Sequence, residues 1–310
     1  MSHIYVTGHK IPDTDSIISA IIFSEYLNQK WIEAKAYRLW ELNNETRYIL
    51  EKVWISEPEL LVNIESWSKM ALVDHNEKSQ TIDNIDELEL EYIVDHHKIW
   101  NLSTNNPIFI RTEKVCSTNS VLFKMFKESN LVISKQYATL MLSAILSDSL
   151  GFRSPTTTPE DKIIVEELNE IAWIADLESF AMDMFKAKSD LWDISIEDLI
   201  KIDYKEFEFW SKKIWVWTVE TTNPDYSLSR KNEIIEWMKK IKNESGLDFI
   251  ILSIVDIINE KNITIIPGES ESIVLNEVFS TKEDNNLVDL WSRISRKKQI
   301  IPQLTEYFNK

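Results

Sequence analysis

Short apolar runs alternate with amphipathic stretches through the first half of the chain, and several of the runs end in aspartate and histidine. Residues 3–6 read as a strand and 16–29 as a helix, in which Ile17, Ala20, Ile21, Ser24 and Leu27 recur near the helical period. The rhythm continues with strands over 34–39, 69–73, 92–94 and 107–111, and helices over 45–53, 118–128, 135–147, 159–173 and 177–188. It constrains the fold to a mainly parallel sheet flanked by helices, because parallel neighbours need crossover connections. It also brings strand C-termini to one edge, where sheets of this class bind ligands. After a linker over 189–195 the pattern changes. Strands over 213–219, 249–255 and 262–266, with a helix over 230–245, make a second, smaller α/β domain. The predicted domains are 1–188 and 189–310.

Composition narrows the function. The 310 residues, 44% of them hydrophobic, supply core for about two domains of ~100–200 residues each. A formal net charge of -17, from 51 acidic against 34 basic residues, repels phosphate backbones and excludes a general nucleic-acid binder. The single Cys116 excludes a disulfide framework. The N-terminus lacks a basic and then apolar leader, and no run approaches the ~18 apolar residues of a membrane span. A soluble, cytoplasmic protein with no membrane partner is expected. One pairing is anomalous: 4 glycines stand beside 12 tryptophans. Ordinary usage of ~7% would give roughly 22 glycines, and an α/β chain needs them at turns and helix ends.

Five clusters carry chemistry. Gly8-His9-Lys10-Ile11-Pro12-Asp13-Thr14-Asp15-Ser16 follows a strand and opens a helix. His9, Asp13 and Asp15 offer one imidazole and two carboxylates, a donor set for Mn, Fe, Co or Zn more than for Mg alone. The plainer reading makes Asp13 a turn residue and Thr14 or Asp15 a helix cap. Leu72-Val73-Asp74-His75-Asn76-Glu77 and Val94-Asp95-His96-His97-Lys98 are further strand ends. Four of the five histidines stand in these three clusters, and His3 reads as a bland N-terminal residue. Asp148, in Ser147-Asp148-Ser149, ends a buried helix, where the dipole disfavours an acid unless a cation is near. Ser295-Arg296-Lys297-Lys298-Gln299 suits phosphate capture, or is a solvated charge run. Lys205 is unremarkable by itself. Metals held by the first domain and cations supplied by the second imply metal-assisted hydrolysis of a phosphate ester or anhydride.

GHKIPDTDS, LVDHNE, VDHHK, LSAILSDSLGFRSPTTT and SRKKQIIPQL resemble, in order and spacing, the family II, manganese-dependent inorganic pyrophosphatases of the DHH phosphoesterase superfamily. The resemblance runs from the first strand to the last ten residues. It implies a mixed sheet in the second domain and an active site in the cleft between the domains. It also implies hydrolysis of inorganic pyrophosphate to two phosphates by a metal-bridging water. His9 and Asp13 would bind one Mn2+, Asp15, His96 and Asp148 the other, and Asp74 would bridge them. Asp13, Asp15, Asp74 and His97 would be the catalytic set. His97, Lys205, Arg296 and Lys297 would hold the substrate, with Ser117 and Thr118 in a loop beside it. Co2+ would substitute for Mn2+, and Mg2+ would arrive with pyrophosphate. A homodimer through the first domain is implied. The rival is another DHH phosphoesterase, acting on oligonucleotides, cyclic dinucleotides or polyphosphate; the SRKKQ block, in place of a glycine-rich C-terminal motif, argues against it.

The sequence departs from that pattern at Ile11, where the family usually has Asn, and at Cys116, where it has Gly. Cys116 reads as a small buried filler. No regulatory insertion follows the early motifs. Trp31, Trp40, Trp173 and Trp210 fall where the resemblance leads one to expect glycine, at helix ends and turns. Either they are surface aromatics acquired by drift, or some are glycines in the living protein whose UGA codons have been read as tryptophan. Positive φ at several of them is the structural mark of the second case.

Overall fold

The protein is described from a computed structural model, which covers residues 3–189, 195, 204–209 and 212–309. Most of the expected linker and Trp210 lie outside these residues. The chain divides into two units, Met1–Ala187 and Lys188–Lys310.

In the first unit, β1 (Ile4–Thr7), β2 (Ala34–Arg38), β3 (Glu59–Leu60), β4 (Lys69–Val73), β5 (Glu89–Asp95) and β6 (Phe109–Thr112) form a wholly parallel sheet. Its order is β3-β2-β1-β4-β5-β6. The chain winds outward in one direction from β1 and in the other from β4. The order therefore reverses between β1 and β4, the place where such a sheet opens a crevice at its strand C-termini. The register sets Thr7 beside Leu72 and Val73 beside Val94. The residues that follow β1, β4 and β5 therefore emerge side by side.

The helices are α1 (Thr14–Gln29), α2 (Asn44–Lys52), α3 (Thr118–Glu128), α4 (Lys135–Asp148), α5 (Pro159–Ala172) and α6 (Leu177–Ser189). Side chains that accept the first free N–H groups set their starts: Asp13 for α1, Asn43 for α2, Ser117 for α3 and Ser134 for α4. Thr158 and Asp161 cap α5 reciprocally, with Pro159 in its first turn. α4 is buried from Ala138 to Ser147, which explains why its sequence is apolar on all sides. β6 starts later than the sequence suggests, because Pro107 has no N–H for the ladder.

The second unit comprises β7 (Tyr204–Phe209), β8 (Lys212–Thr221), α7 (Pro224–Ser229), α8 (Lys231–Glu244), β9 (Phe249–Asp256), β10 (Lys261–Ile265), α9 (Glu269–Phe279), β11 (Glu283–Asp284), β12 (Leu287–Asp289), a wide π-helical turn (Arg296–Ile300) and α10 (Ile301–Phe308). The sheet order is β11-β12-β10-β9-β8-β7. It is mixed: β8 and β9 run parallel and the other pairs antiparallel. β9 is buried on both faces, and its alternation divides the core. Ile250, Leu252 and Ile254 pack with Trp217 and with Ile234 and Met238 of α8. Phe249 and Ile251 pack with Leu275 of α9 and Leu304 of α10.

Two of the four expected left-handed tryptophans have that backbone: Trp31 at φ 62° and Trp173 at φ 58°. Trp40 corrects the expectation, since it is not among the positive-φ residues. It follows a strand, so no helix-end carbonyls need closing there, and its own carbonyl accepts from Arg38 Nη1.

Gly8 is required by close approach. A Cβ there would stand 1.9 Å from Ser16 Oγ and 2.7 Å from the Ser16 carbonyl oxygen, while His9 N–H donates to Ser16 Oγ at 2.9 Å. Gly8→Ala should therefore destabilise the chain by ~1–3 kcal/mol through overpacking. Thermal unfolding checks this, and an unchanged midpoint would contradict it.

Candidate metal centre

Loop residues after β1, β4 and β5, with the ends of α1 and α4, bring imidazoles and carboxylates together. His9 Nε2 lies 3.4 Å from Asp13 Oδ2 and 3.5 Å from Asp74 Oδ2. His96 Nε2 lies 3.3 Å from Asp74 Oδ1, 3.7 Å from Asp148 Oδ2 and 4.0 Å from Asp15 Oδ2. Three donor groups result: His9, Asp13 and Asp74; Asp15, His96 and Asp148; and Asp74, His96 and His97. Within each group, one ligand atom per residue lies within 4.8 Å of the others. Asp74 belongs to two of them. It stands just past β4 with φ 60°, a conformation Asp tolerates better than most residues, and that places its two oxygens toward different imidazoles.

Surrounding polar groups fix these side chains. His96 Nδ1–H donates to the Val115 carbonyl at 3.1 Å, which turns Nε2 toward the carboxylates. Asp15 is fully buried and accepts from Ser117 Oγ at 2.6 Å, Thr118 N–H at 2.8 Å and Asn119 Nδ2 at 2.7 Å. Thr118 Oγ1 donates to Asp74 Oδ1 at 3.1 Å. Ser117 and Thr118 thus spend hydrogen bonds on Asp15 and Asp74. Cys116, just before them, is buried, and burial first, then neighbouring carboxylates, push its thiol pKa up. That is the environment of an inert filler.

Sequence reasoning missed the groups behind this layer. Buried Asp95 accepts from His97 Nδ1 at 2.8 Å, from the N–H of His96 and His97, and from Asn76 Nδ2. Burial alone would raise its pKa, but the bond and charge of His97 outweigh burial and hold it well below the usual carboxylate range. Asp161, on α5, accepts from Cys116 N–H, Ser120 Oγ and Thr158 and so anchors the loop that carries Ser117 and Thr118. The signal for Asp95 was present, since it stands inside the VDHHK block; Asp161 had none beyond its capping position. His75 is turned elsewhere. Its Nδ1–H donates to the Val73 carbonyl at 2.9 Å, and burial lowers its pKa to about 4, which keeps it neutral.

In the second unit, Arg296 and Lys297 lie on the π-helical turn, where Ser295 Oγ accepts from Lys298 N–H. Arg296 Nη1 reaches the Val216 carbonyl at 3.4 Å. Lys205 pairs in register with that same Val216 across β7 and β8, although its side chain lies outside the described residues. The strand register and the turn therefore bring these two positions to one place in the unit.

Family models match both units: the DHH family N-terminal domain over residues 3–145 and the DHHA2 domain over 182–307. A Deinococcus radiodurans protein assigned as a manganese-dependent inorganic pyrophosphatase is 44% identical over 98% of both chains. The Bacillus subtilis manganese-dependent inorganic pyrophosphatase is 38% identical over 99% of both. A solved Methanococcus jannaschii structure assigned as a family II inorganic pyrophosphatase superposes with a TM-score of 0.88, at 35% identity and 99% coverage of both chains. No helix among the described residues is long and apolar enough to cross a membrane.

The donor set fits a divalent transition metal, with imidazole and carboxylate in each group and no thiolate. Electrostatics agree. Burial, then the charges of Asp74 and Asp13, push the Asp15 pKa up to about 7, a repulsion that a cation relieves. Burial works against charge on His9, but Asp13 and Asp74 outweigh it and lift its pKa to about 10. His9 is therefore protonated at neutral pH without metal and must lose that proton to become a ligand. Mn2+ uptake should release protons, and apparent affinity should rise with pH up to about 10, where His9 deprotonates without help. Calorimetric titration in buffers of different ionisation enthalpy measures the release; none at neutral pH would contradict this assignment.

Proposed function

Since the chain belongs to the DHH family and, within it, to the manganese-dependent inorganic pyrophosphatases, we propose that it hydrolyses inorganic pyrophosphate to two phosphates with Mn2+ as its metal. The observation that carries this reading is Asp74, whose carboxylate stands within reach of both the His9 side and the His96 side of the cluster. His9 and Asp13 would hold one ion, Asp15, His96 and Asp148 the other, and Asp74 would be shared. When bound, such a pair of ions acidifies a water and neutralises phosphoryl charge.

The chain's own groups do the rest. Asp95 holds His97 by Nδ1, which leaves Nε2 as the ring atom that meets a phosphate oxygen. Ser117 and Thr118, buried beneath the cluster, keep Asp15 and Asp74 in position through their bonds to them. Lys205, Arg296 and Lys297 are the phosphate ligands of the second domain, 189–310, and the first domain, 1–188, holds the metals. Guanidinium and ammonium groups offset the negative charge of the leaving phosphate. An acidic chain can act on so anionic a substrate where bound cations and a few basic side chains offset the substrate's charge. Mg2+ entering with pyrophosphate and Co2+ replacing Mn2+ complete the reading. A cytoplasmic setting suits the free thiol of Cys116.

Pairing of two copies through the first domain is supported by the edge strand β6, where Phe109 and Ile110 are exposed. Ile110→Lys should convert a dimer to a monomer in analytical ultracentrifugation. An unshifted mass would remove this edge from consideration.

The decisive assay compares pyrophosphate with a phosphodiester after metal stripping and Mn2+ addition. Pyrophosphate turnover should return with Mn2+, and Asp74→Asn should lower kcat by at least ~100-fold, the scale of removing one charged stabilising group. Diester cleavage without pyrophosphate turnover would favour an oligonucleotide- or cyclic-dinucleotide-cleaving relative.

A further inference from the structure

Among the described residues, five tryptophans have a backbone that tryptophan disfavours. Trp31, Trp54, Trp67, Trp173 and Trp291 have φ of 62°, 58°, 68°, 58° and 53°. In this left-handed region Cβ crowds the following carbonyl, and for a bulky residue the conformation is a genuine outlier.

Their local roles are those that glycine fills. After α1, Trp31 N–H bonds to the Asn28 carbonyl and Ile32 N–H to Leu27, both at 3.0 Å. After α2, Trp54 N–H bonds to Glu51 at 3.1 Å and Ile55 N–H to Leu50 at 3.0 Å. This paired closure is the Schellman helix end, whose left-handed position is usually glycine and sometimes asparagine. Other helix ends meet the same demand in more than one way. Buried Leu150, at φ 50°, follows α4 with Gly151 N–H on the Leu146 carbonyl at 2.8 Å, and Ser280, at φ 58°, ends α9. Glycine and asparagine serve after α8 and α3. Gly246, at φ 62°, follows α8, with Leu247 N–H on Lys242 at 2.9 Å. Asn130, at φ 52°, follows α3, with Leu131 N–H on Phe126 at 3.0 Å. Trp173 ends α5 in left-handed geometry, φ 58° and ψ 48°, with its N–H on Asn169. Trp67 is the third residue of a turn closed by Ser68 N–H on Glu65, and Trp291 sits in a turn closed by Arg293 N–H on Leu290.

Their side chains contribute little to the fold. Trp31, Trp54, Trp67 and Trp173 are 97%, 90%, 82% and 81% exposed. Trp291 is 47% exposed and meets only one described cation, the Arg293 guanidinium, 5.2 Å from its ring. The tryptophans of the second unit's core are different. Trp217 is 1% exposed, with ring centroids 5.7 Å from Trp215 and 5.3 Å from Trp237. None of these three has positive φ. Exposed Trp40 and Trp100 also lack it, and Trp100 packs under Lys98 Nζ at 3.6 Å.

Among the described tryptophans, Trp215, Trp217 and Trp237 pack as tryptophan does, whereas these five take the backbone of glycine. Drift to surface aromatics accounts for exposure but not for left-handed backbone. Codon usage accounts for both. UGG always encodes tryptophan, whereas UGA is a stop in the common code, tryptophan in some codes and glycine in others. A gene in which UGA means glycine, read by a code in which it means tryptophan, loses its UGA-encoded glycines and keeps the others. The same misreading accounts for part of the imbalance of 4 glycines beside 12 tryptophans.

We propose that residues 31, 54, 67, 173 and 291 are glycines in the protein as its own cell makes it, each encoded by UGA. The proposal is independent of the catalytic reading, since none of the five is among the metal or phosphate ligands. Its test is the coding DNA together with peptide masses of the protein purified from its source cell. Expected are UGA codons and glycine masses at the five positions, and UGG codons and tryptophan masses at Trp215, Trp217 and Trp237. UGG codons at the five, or tryptophan in the native peptides, would overturn it. A recombinant chain carrying Trp31→Gly, Trp54→Gly, Trp67→Gly, Trp173→Gly and Trp291→Gly should unfold several degrees above the all-tryptophan chain; an equal or lower midpoint would count against it.

Discussion

Mutual repulsion among buried carboxylates at the C-terminal edge of a parallel sheet is the constraint around which the first unit is built. Asp15 and Asp74 are almost wholly removed from water, while Asp13 meets His9 and Asp148 meets His96. Uncompensated burial of even one such charge costs several kcal/mol. The fold compensates in part by hydrogen bonds, with Ser117, Thr118 and Asn119 donating to Asp15, and in part by protonated imidazole at His9. Divalent cations held there would supply the remainder, so that an arrangement costly in a merely structural core suits metal binding.

The sheet order makes the cluster possible. Because winding reverses between β1 and β4, no crossover helix covers the gap between Gly8 and Asp74. Gly8 lets the loop close tightly over the start of α1, and that closure aims His9 at Asp74. Behind the ligands lies a layer of further carboxylates. Asp95 orients His97, and Asp161 ties the Ser117–Thr118 loop to α5. A change at Asp161 would be felt at Asp15 through hydrogen bonds alone.

Much of this was legible in the sequence, for physical reasons. Strand ends that carry Asp and His must emerge on one edge when the strands are parallel, so His9, Asp74 and His96 could be placed together before any coordinates. The same logic overreached for His75, which shares a strand end with Asp74 but faces the Val73 carbonyl. Residue type and spacing do not reveal which way a side chain leaves a loop. Beyond its capping pair with Thr158, the role of Asp161 was illegible because Cys116 and Ser120, which it also holds, are distant in sequence. β7 and β12 escaped because their partners, not their own periodicity, define them. The tryptophans were legible in part: Trp31 and Trp173 stand at helix ends, whereas Trp67 and Trp291 stand in turns whose closure only the backbone reveals.

Electron paramagnetic resonance of the chain titrated with Mn2+ tests the central claim most directly. If Asp74 is shared, two ions should bind per chain and give an exchange-coupled spectrum. Asp74→Asn should weaken that coupling. A single bound ion, or two ions with the spectra of isolated Mn2+, would contradict a centre built around one shared carboxylate.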